Sequence, residues 1–191
     1  PTVAQLSEKD IPMHVRLTDD PESSGTLIVP PAKRQDAPLS NRGVAGLSTL
    51  KNITLITVSG GGMVGVPGFS RRLFTALSLA AVNVVLVSQG SSEHAISIAV
   101  ADGDSGEAEA ALNQEFGADQ QLGRIGPLVI ESGFAIVALV GDGMRQQSGI
   151  AGRAFGTLGR NGISIRAISQ GSTERNISIV IDAKHERKAL Q

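Results

Sequence analysis

The chain has 191 residues, 41% of them apolar and 3% aromatic, with no Cys, Trp or Tyr and a formal net charge of −1. That composition supports a core of Val, Ile, Leu and Ala, which suits sheets covered by helices, and it excludes disulfides, zinc–thiolate sites and thiol nucleophiles. There is no basic run or aromatic platform for nucleic acid, no apolar stretch near the ~20 residues that span a bilayer and no signal-peptide pattern; no nucleic-acid or membrane partner is expected, and a cytoplasmic location fits.

The chain opens on Pro1 rather than Met, which reads as a segment of something longer, a processed N-terminus being the alternative. Residues 2–10 (TVAQLSEKD) suit a helix and 11–18 (IPMHVRLT) a strand. From 19 to 50 the chain is rich in Pro, Gly, Ser and Asp and is predicted to be a linker loop, disordered around 30–46. Residues 53–59 (ITLITVS) form a β-branched strand that runs into glycines. A helix over 67–80 follows: Pro67 suits its first turn, and Phe69, Leu73, Phe74 and Leu77 make one apolar stripe. Two strands, 82–88 and 94–100, are joined by a QGSSE turn. A second helix has Asp104 and Glu107 at capping-box spacing and Ala108, Ala111, Leu112 and Phe116 as its stripe. A strand near 127–131 closes the unit. The order β-α-β-β-α-β is a ferredoxin-like α+β unit with an antiparallel sheet.

The unit then recurs. SQGSSEHAISIAV (88–100) returns as SQGSTERNISIVI (169–181), 81 residues later, and 15 of the 41 positions from Gly60 to Val100 are identical to those at that offset without a gap. Residues 134–140 (FAIVALV) repeat the first strand. Ile150, Ala154, Phe155 and Leu158 repeat the helical stripe, with Gly162 at the C-cap. Ile163 and Ile165, then Ile177, Ile179 and Ile181, repeat the hairpin. After Ile181 only DAKHERKALQ remains, enough to start a helix but not for a strand. The N-terminus is therefore expected to supply what is missing. Residues 1–18 would complete the second copy (133–191), with the first copy (51–132) inserted whole after the 19–50 loop.

Gly60, Gly62 and Gly65 fit G-x-G-x-x-G, the phosphate-cradling turn of dinucleotide sites. Such sites also need an acidic residue about 20 positions on, at the end of the next strand. That strand ends in Ser88-Gln89 and Ser169-Gln170, and the second copy has Gln146 in place of the third glycine, so nucleotide binding is not expected. A tight turn and close packing explain the glycines without a ligand. The sharper reading is a pocket for a small anionic or zwitterionic ligand at the exposed N–H groups of the helix start, with the SQGSSE turn as its second wall. Gln89 and Gln170 each offer an acceptor and two donors there. No histidine has an i+4 partner, no G-x-S-x-G elbow occurs, and the carboxylates at 102–109 suit a solvated helix face. Neither catalytic residues nor a metal site are expected.

VSGGGMVGVPG, VVLVSQGSSEHAISIAV, IVALVGDGMRQQSGIAGRAF and GISIRAISQGSTERNISIVI together resemble a tandem pair of ACT domains, as in the regulatory region of aspartate kinases and above all of bifunctional aspartate kinase–homoserine dehydrogenases. IPMHVRLTDDPESSGTLI resembles the segment that joins the kinase domain to that region. The resemblance implies two ferredoxin-like βαββαβ ACT domains in tandem, with helices on one face of antiparallel sheets. It implies an allosteric module without catalytic activity of its own, which binds a pathway end product and inhibits the kinase of the parent chain. ATP and magnesium would belong to that kinase domain, and no cofactor to this segment. ACT units of this kind pair side by side in a homodimer. Carried over, the effector pocket would take Met63, Gly65, Val66, Pro67, Gly68 and Phe69 from the turn. Gln89, Gly90, Ser91, Ser92 and Glu93 would come from the hairpin of a paired unit, and Gln170 matches the second glutamine of threonine-sensing relatives. Lysine-sensing relatives carry an acidic residue where this chain has Val85 and Arg166. A buried lysine ammonium would lack its counter-charge, so threonine is favoured over lysine. The alternatives are a lysine-sensing module of a monofunctional aspartate kinase and a stand-alone amino-acid-binding or dimerisation module of the same fold.

Overall fold

The computed structural model describes residues 2–29, 43–90, 94–145 and 147–191. It separates into two compact units, residues 1–41 and residues 42–191. The smaller holds helix α1 (Thr2–Glu8) and an antiparallel hairpin of β1 (Met13–Val15) and β2 (Thr26–Ile28), with His14 opposite Leu27. The His14 ring Nε2–H donates to the Ser24 carbonyl at 2.7 Å.

This hairpin corrects the expectation that residues 1–18 complete the second repeat. Alternating apolar residues mark 11–18 as a strand but carry no information about its partner. Its partner is β2, which lies inside the stretch expected to be linker loop. Of the segment expected to be disordered, residues 30–42 lie outside the described residues, and a strand begins at Gly46.

The larger unit is one antiparallel sheet of six strands in the order β4-β5-β3-β6-β8-β7. Its elements are β3 (Gly46–Ser59), α2 (Phe69–Leu79), β4 (Val84–Gln89), β5 (Ala95–Ala101), α3 (Ser105–Gln121), β6 (Val129–Val140), α4 (Ile150–Arg160), β7 (Ile165–Gln170), β8 (Asn176–Asp182) and α5 (Glu186–Ala189). β3 and β6 are long because each serves both copies. Residues 53–59 of β3 pair with β5 in the first copy, while 46–50 pair with 136–140 of β6 in the second. Thus 46–50, not 12–17, is the strand that borders 134–140. The repeat continues around the back of the sequence, since residues 43–50 stand 81 positions before 124–131 and occupy the same place. Both long strands bend at equivalent residues. The ladder shifts between Leu50 and Leu55, where Asn52 has φ +57°, and Gly133, 81 positions on, has φ +87°.

The halves meet through a core built from equivalent pairs: Ile53 and Phe134, Leu55 and Ile136, Leu86 and Ala167, Ala99 and Val180. The opposite strand faces carry Ile56, Val58, Ile96 and Ile98 in the first copy and Val137, Ile177 and Ile179 in the second, each covered by that copy's helices. In α2 the buried residues are Phe69, Leu73 and Leu77, four apart. Phe74 is 38% exposed, one step off that stripe. Pro67 precedes the helix instead of starting it, because left-handed Gly68 (φ +88°) takes the N-cap, as Gly149 (φ +85°) does for α4. The capping box at Asp104 does not form. The chain enters α3 through a 3-10 turn at 102–104, where Ser105 Oγ donates to the Asp102 carbonyl at 2.7 Å.

Candidate ligand site

The glycine turn is filled by the protein's own backbone. A Cβ on Gly60 would lie 2.5 Å from the Arg124 carbonyl oxygen and from Ile125 Cα. The Gly62 N–H is already taken, donating to that same carbonyl at 2.8 Å. The second copy repeats this: a Cβ on Gly141 would lie 2.5 Å from the Gly43 carbonyl oxygen. The N–H groups of Gly126 and Ala45 close the two arrangements onto Ser59 and Val140, both at 2.8 Å. These glycines therefore serve close approach between two backbone segments.

What opens to the outside lies one turn further on. A cavity of about 140 Å³ is lined by Met63, Val66, Gly68, Phe69, Ser70, Gln89 and Ile96. Gly68 provides no side-chain cap for α2, so the first N–H groups of that helix remain as donors at the cavity, where the helix dipole favours a carboxylate. Gln89 brings its amide from the end of β4, and Met63, Phe69 and Ile96 supply apolar walls. A site this small, well below the ~300–1,000 Å³ typical of drug-sized ligands, suits a small zwitterion.

The second copy forms the equivalent cavity, of about 310 Å³. Met144, Gln147, Gly149, Ile150, Ala151, Gln170 and Ile177 stand in the seven equivalent places, and Ser148 and Glu174 join them. Three substitutions change its character: Ile150 replaces Phe69, Gln147 replaces Val66 and Ala151 replaces Ser70.

Of the expected pocket residues, Met63, Val66, Gly68, Phe69 and Gln89 line the first cavity and Gln170 the second. Gly65 shapes the approach with φ +66°, and neither it, Pro67 nor Gly90 is part of the wall. Ser91, Ser92 and Glu93 lie outside the described residues; Glu174, which matches Glu93, lines the second cavity. Ser70 and Ile96 were missed, although the place of Ser70 in the first turn of α2 and the pairing of Ile96 with Gln89 could have found them. Arg166 is engaged elsewhere, paired with Glu131 and lying 5.4 Å above the Phe134 ring. Among the described residues no cluster of His, Asp and Glu could hold a metal ion, and no helix is long and apolar enough to cross a membrane.

The profile of the ACT domain family matches residues 56–116 and 137–191, one match for each copy. The chain belongs to the ACT domain family. The chain is 36% identical over 190 residues to the bifunctional aspartokinase/homoserine dehydrogenase of Haemophilus influenzae, all of this chain against 22% of that protein. It is 34% identical over 191 residues to bifunctional aspartokinase/homoserine dehydrogenase 2 of Arabidopsis thaliana, covering 21% of it. The chain thus spans about a fifth of the length of these curated relatives. Among solved structures, the aspartate kinase of Clostridium acetobutylicum superposes with a TM-score of 0.83 at 25% identity, covering 97% of this chain and 41% of that one. The ACT pair and its antiparallel sheet have the fold of aspartate kinase regulatory regions.

Proposed function

We propose that this chain is the allosteric region of an aspartate kinase, and that it binds free threonine, an end product of the pathway the kinase opens. The observation that carries the reading is the first cavity, where uncapped helix N–H groups and the Gln89 amide converge beside apolar walls. An α-carboxylate suits the helix start, and a glutamine amide matches an ammonium and a hydroxyl at once. Val85 stands where lysine-sensing relatives carry an acidic residue, which favours a neutral effector side chain over lysine. The parent chain would bring the kinase domain, with its ATP and magnesium, and two copies would pair side by side through their ACT units. Effector binding at millimolar to sub-millimolar levels corresponds to ~4–6 kcal/mol. Only the difference in affinity between two arrangements, typically ~1–3 kcal/mol, can reach the kinase.

Titration calorimetry with threonine, lysine and methionine tests this. Threonine should release heat, and Gln89→Ala should weaken it about tenfold, the worth of one hydrogen bond to a charged group. Binding of lysine alone would replace threonine as effector, and binding of none would leave a dimerisation module.

A further inference from the structure

The walls of the first cavity are held from behind by a single helix. Phe69, which faces the cavity, stacks on Phe116 of α3 with ring centroids 4.8 Å apart and planes at 21°. The Arg72 guanidinium also lies over the Phe116 ring, 4.8 Å from its centroid. From there it donates to Glu115 Oε1 at 2.6 Å and to Asp119 Oδ2 at 2.8 Å, and also to the Glu115 carbonyl at 3.2 Å. Two carboxylates one helical turn apart thus grip one guanidinium, whose rigid fork fixes direction as well as distance. Asp119 also meets Arg124 at 3.5 Å, and its carbonyl accepts the Arg124 N–H at 2.9 Å. The Arg124 carbonyl in turn takes the Gly62 N–H, in the turn that delivers Met63 to the cavity. The helix wall and the turn wall are therefore both referred to the last two turns of α3.

We propose that Arg72 is a positioning residue of the first cavity: by gripping Glu115 and Asp119 it seats Phe116 behind Phe69 and so sets the width of the site and its affinity for a small amino acid. This rests on the effector reading above. It makes α3 the element that effector binding tightens, since a ligand favouring the narrow cavity must favour the closed clamp by the same factor.

The methionines allow the test, because Met63 lies in the first cavity and Met144 in the second. The 191-residue chain, labelled at its methionine methyl groups, is titrated with threonine by NMR. Arg72→Gln should raise the Kd read at Met63 about tenfold, within the range measured for coupled neighbours, and leave the Met144 titration within about twofold of wild type. Asp119→Asn should act the same way, and Arg72→Lys should recover part of the loss. The double variant should be no weaker than the weaker single variant, because the two groups act as one device. Folded variants with an unchanged Kd at Met63, or with equal changes at Met63 and Met144, would overturn the clamp alone. A wild-type Met63 methyl unmoved by threonine, lysine and methionine would overturn the effector reading, and the clamp's role with it.

Discussion

Two residues 81 positions apart illustrate how the repeat trades conformational ease. Gly162 follows α4 at φ +70°, the left-handed position in which a helix ends on glycine. The first copy holds the same conformation with Ala81, at φ +56°, where a Cβ meets the preceding carbonyl. Ala81 is exposed, so its methyl group gains little by packing. Ala81→Gly should raise stability by about 1 kcal/mol and Gly162→Ala should lower it by a similar amount, read as shifts in urea midpoint. Gln89 and Gln170 were legible because the sequence repeats them in a polar turn. The reason for Gly60 and Gly62 was not. Their neighbours, Arg124 and Ile125, lie more than sixty residues away, and local pattern contains no long-range contacts. Similarly, GVAGLSTL (43–50) and RIGPLVIE (124–131) share only the leucine at 47 and 128, so the strand that closes the second copy carried no visible mark of kinship.

Among the elements, α3 carries polar contacts that respond to pH. Hydrogen bonding from Arg72 holds the Asp119 carboxyl below the ordinary aspartate range. A carboxyl whose folded pKa is depressed stabilises the fold above its unfolded value, and that contribution is lost as pH falls through the folded one. The α3 grip should therefore hold throughout neutral pH and loosen only in acid. Hydrogen bonding from Lys51 acts in the same direction on Glu186, which opens α5 and meets Lys51 at 3.0 Å. Urea midpoints from about pH 5 down to about pH 2 should fall less steeply in Asp119→Asn than in the wild type, because the variant has already lost the titrating group. The helices themselves were legible from their stripes, with errors of phase and boundary: Phe74 stands outside the α2 core, and the helix begins after Pro67. The boundary comes from backbone geometry at Gly68 and not from apolar spacing.

At the scale of the molecule, the sequence announced a duplicated unit but not how the copies join. They share β3 and β6 and enclose one core of equivalent pairs. Neither copy has a complete sheet without residues that continue into the other. The larger unit should therefore unfold as one body. In native-state hydrogen exchange, the slowest amides of β5 and β8 should report the same opening free energy. Two separate values would mean that the copies open independently despite the shared strands.

The interlaced order of the strands also bears on how the chain is born. Residues 46–50 leave the ribosome before any of the first copy, yet their partner, 136–140, is made only after all of it. The first copy can form during translation, while this early strand waits with an unsatisfied edge until residues 136–140 emerge. Completion of the second copy is thus tied to the emergence of 136–140, and a ribosome that stalls before them holds a chain with an exposed strand for a chaperone to shield.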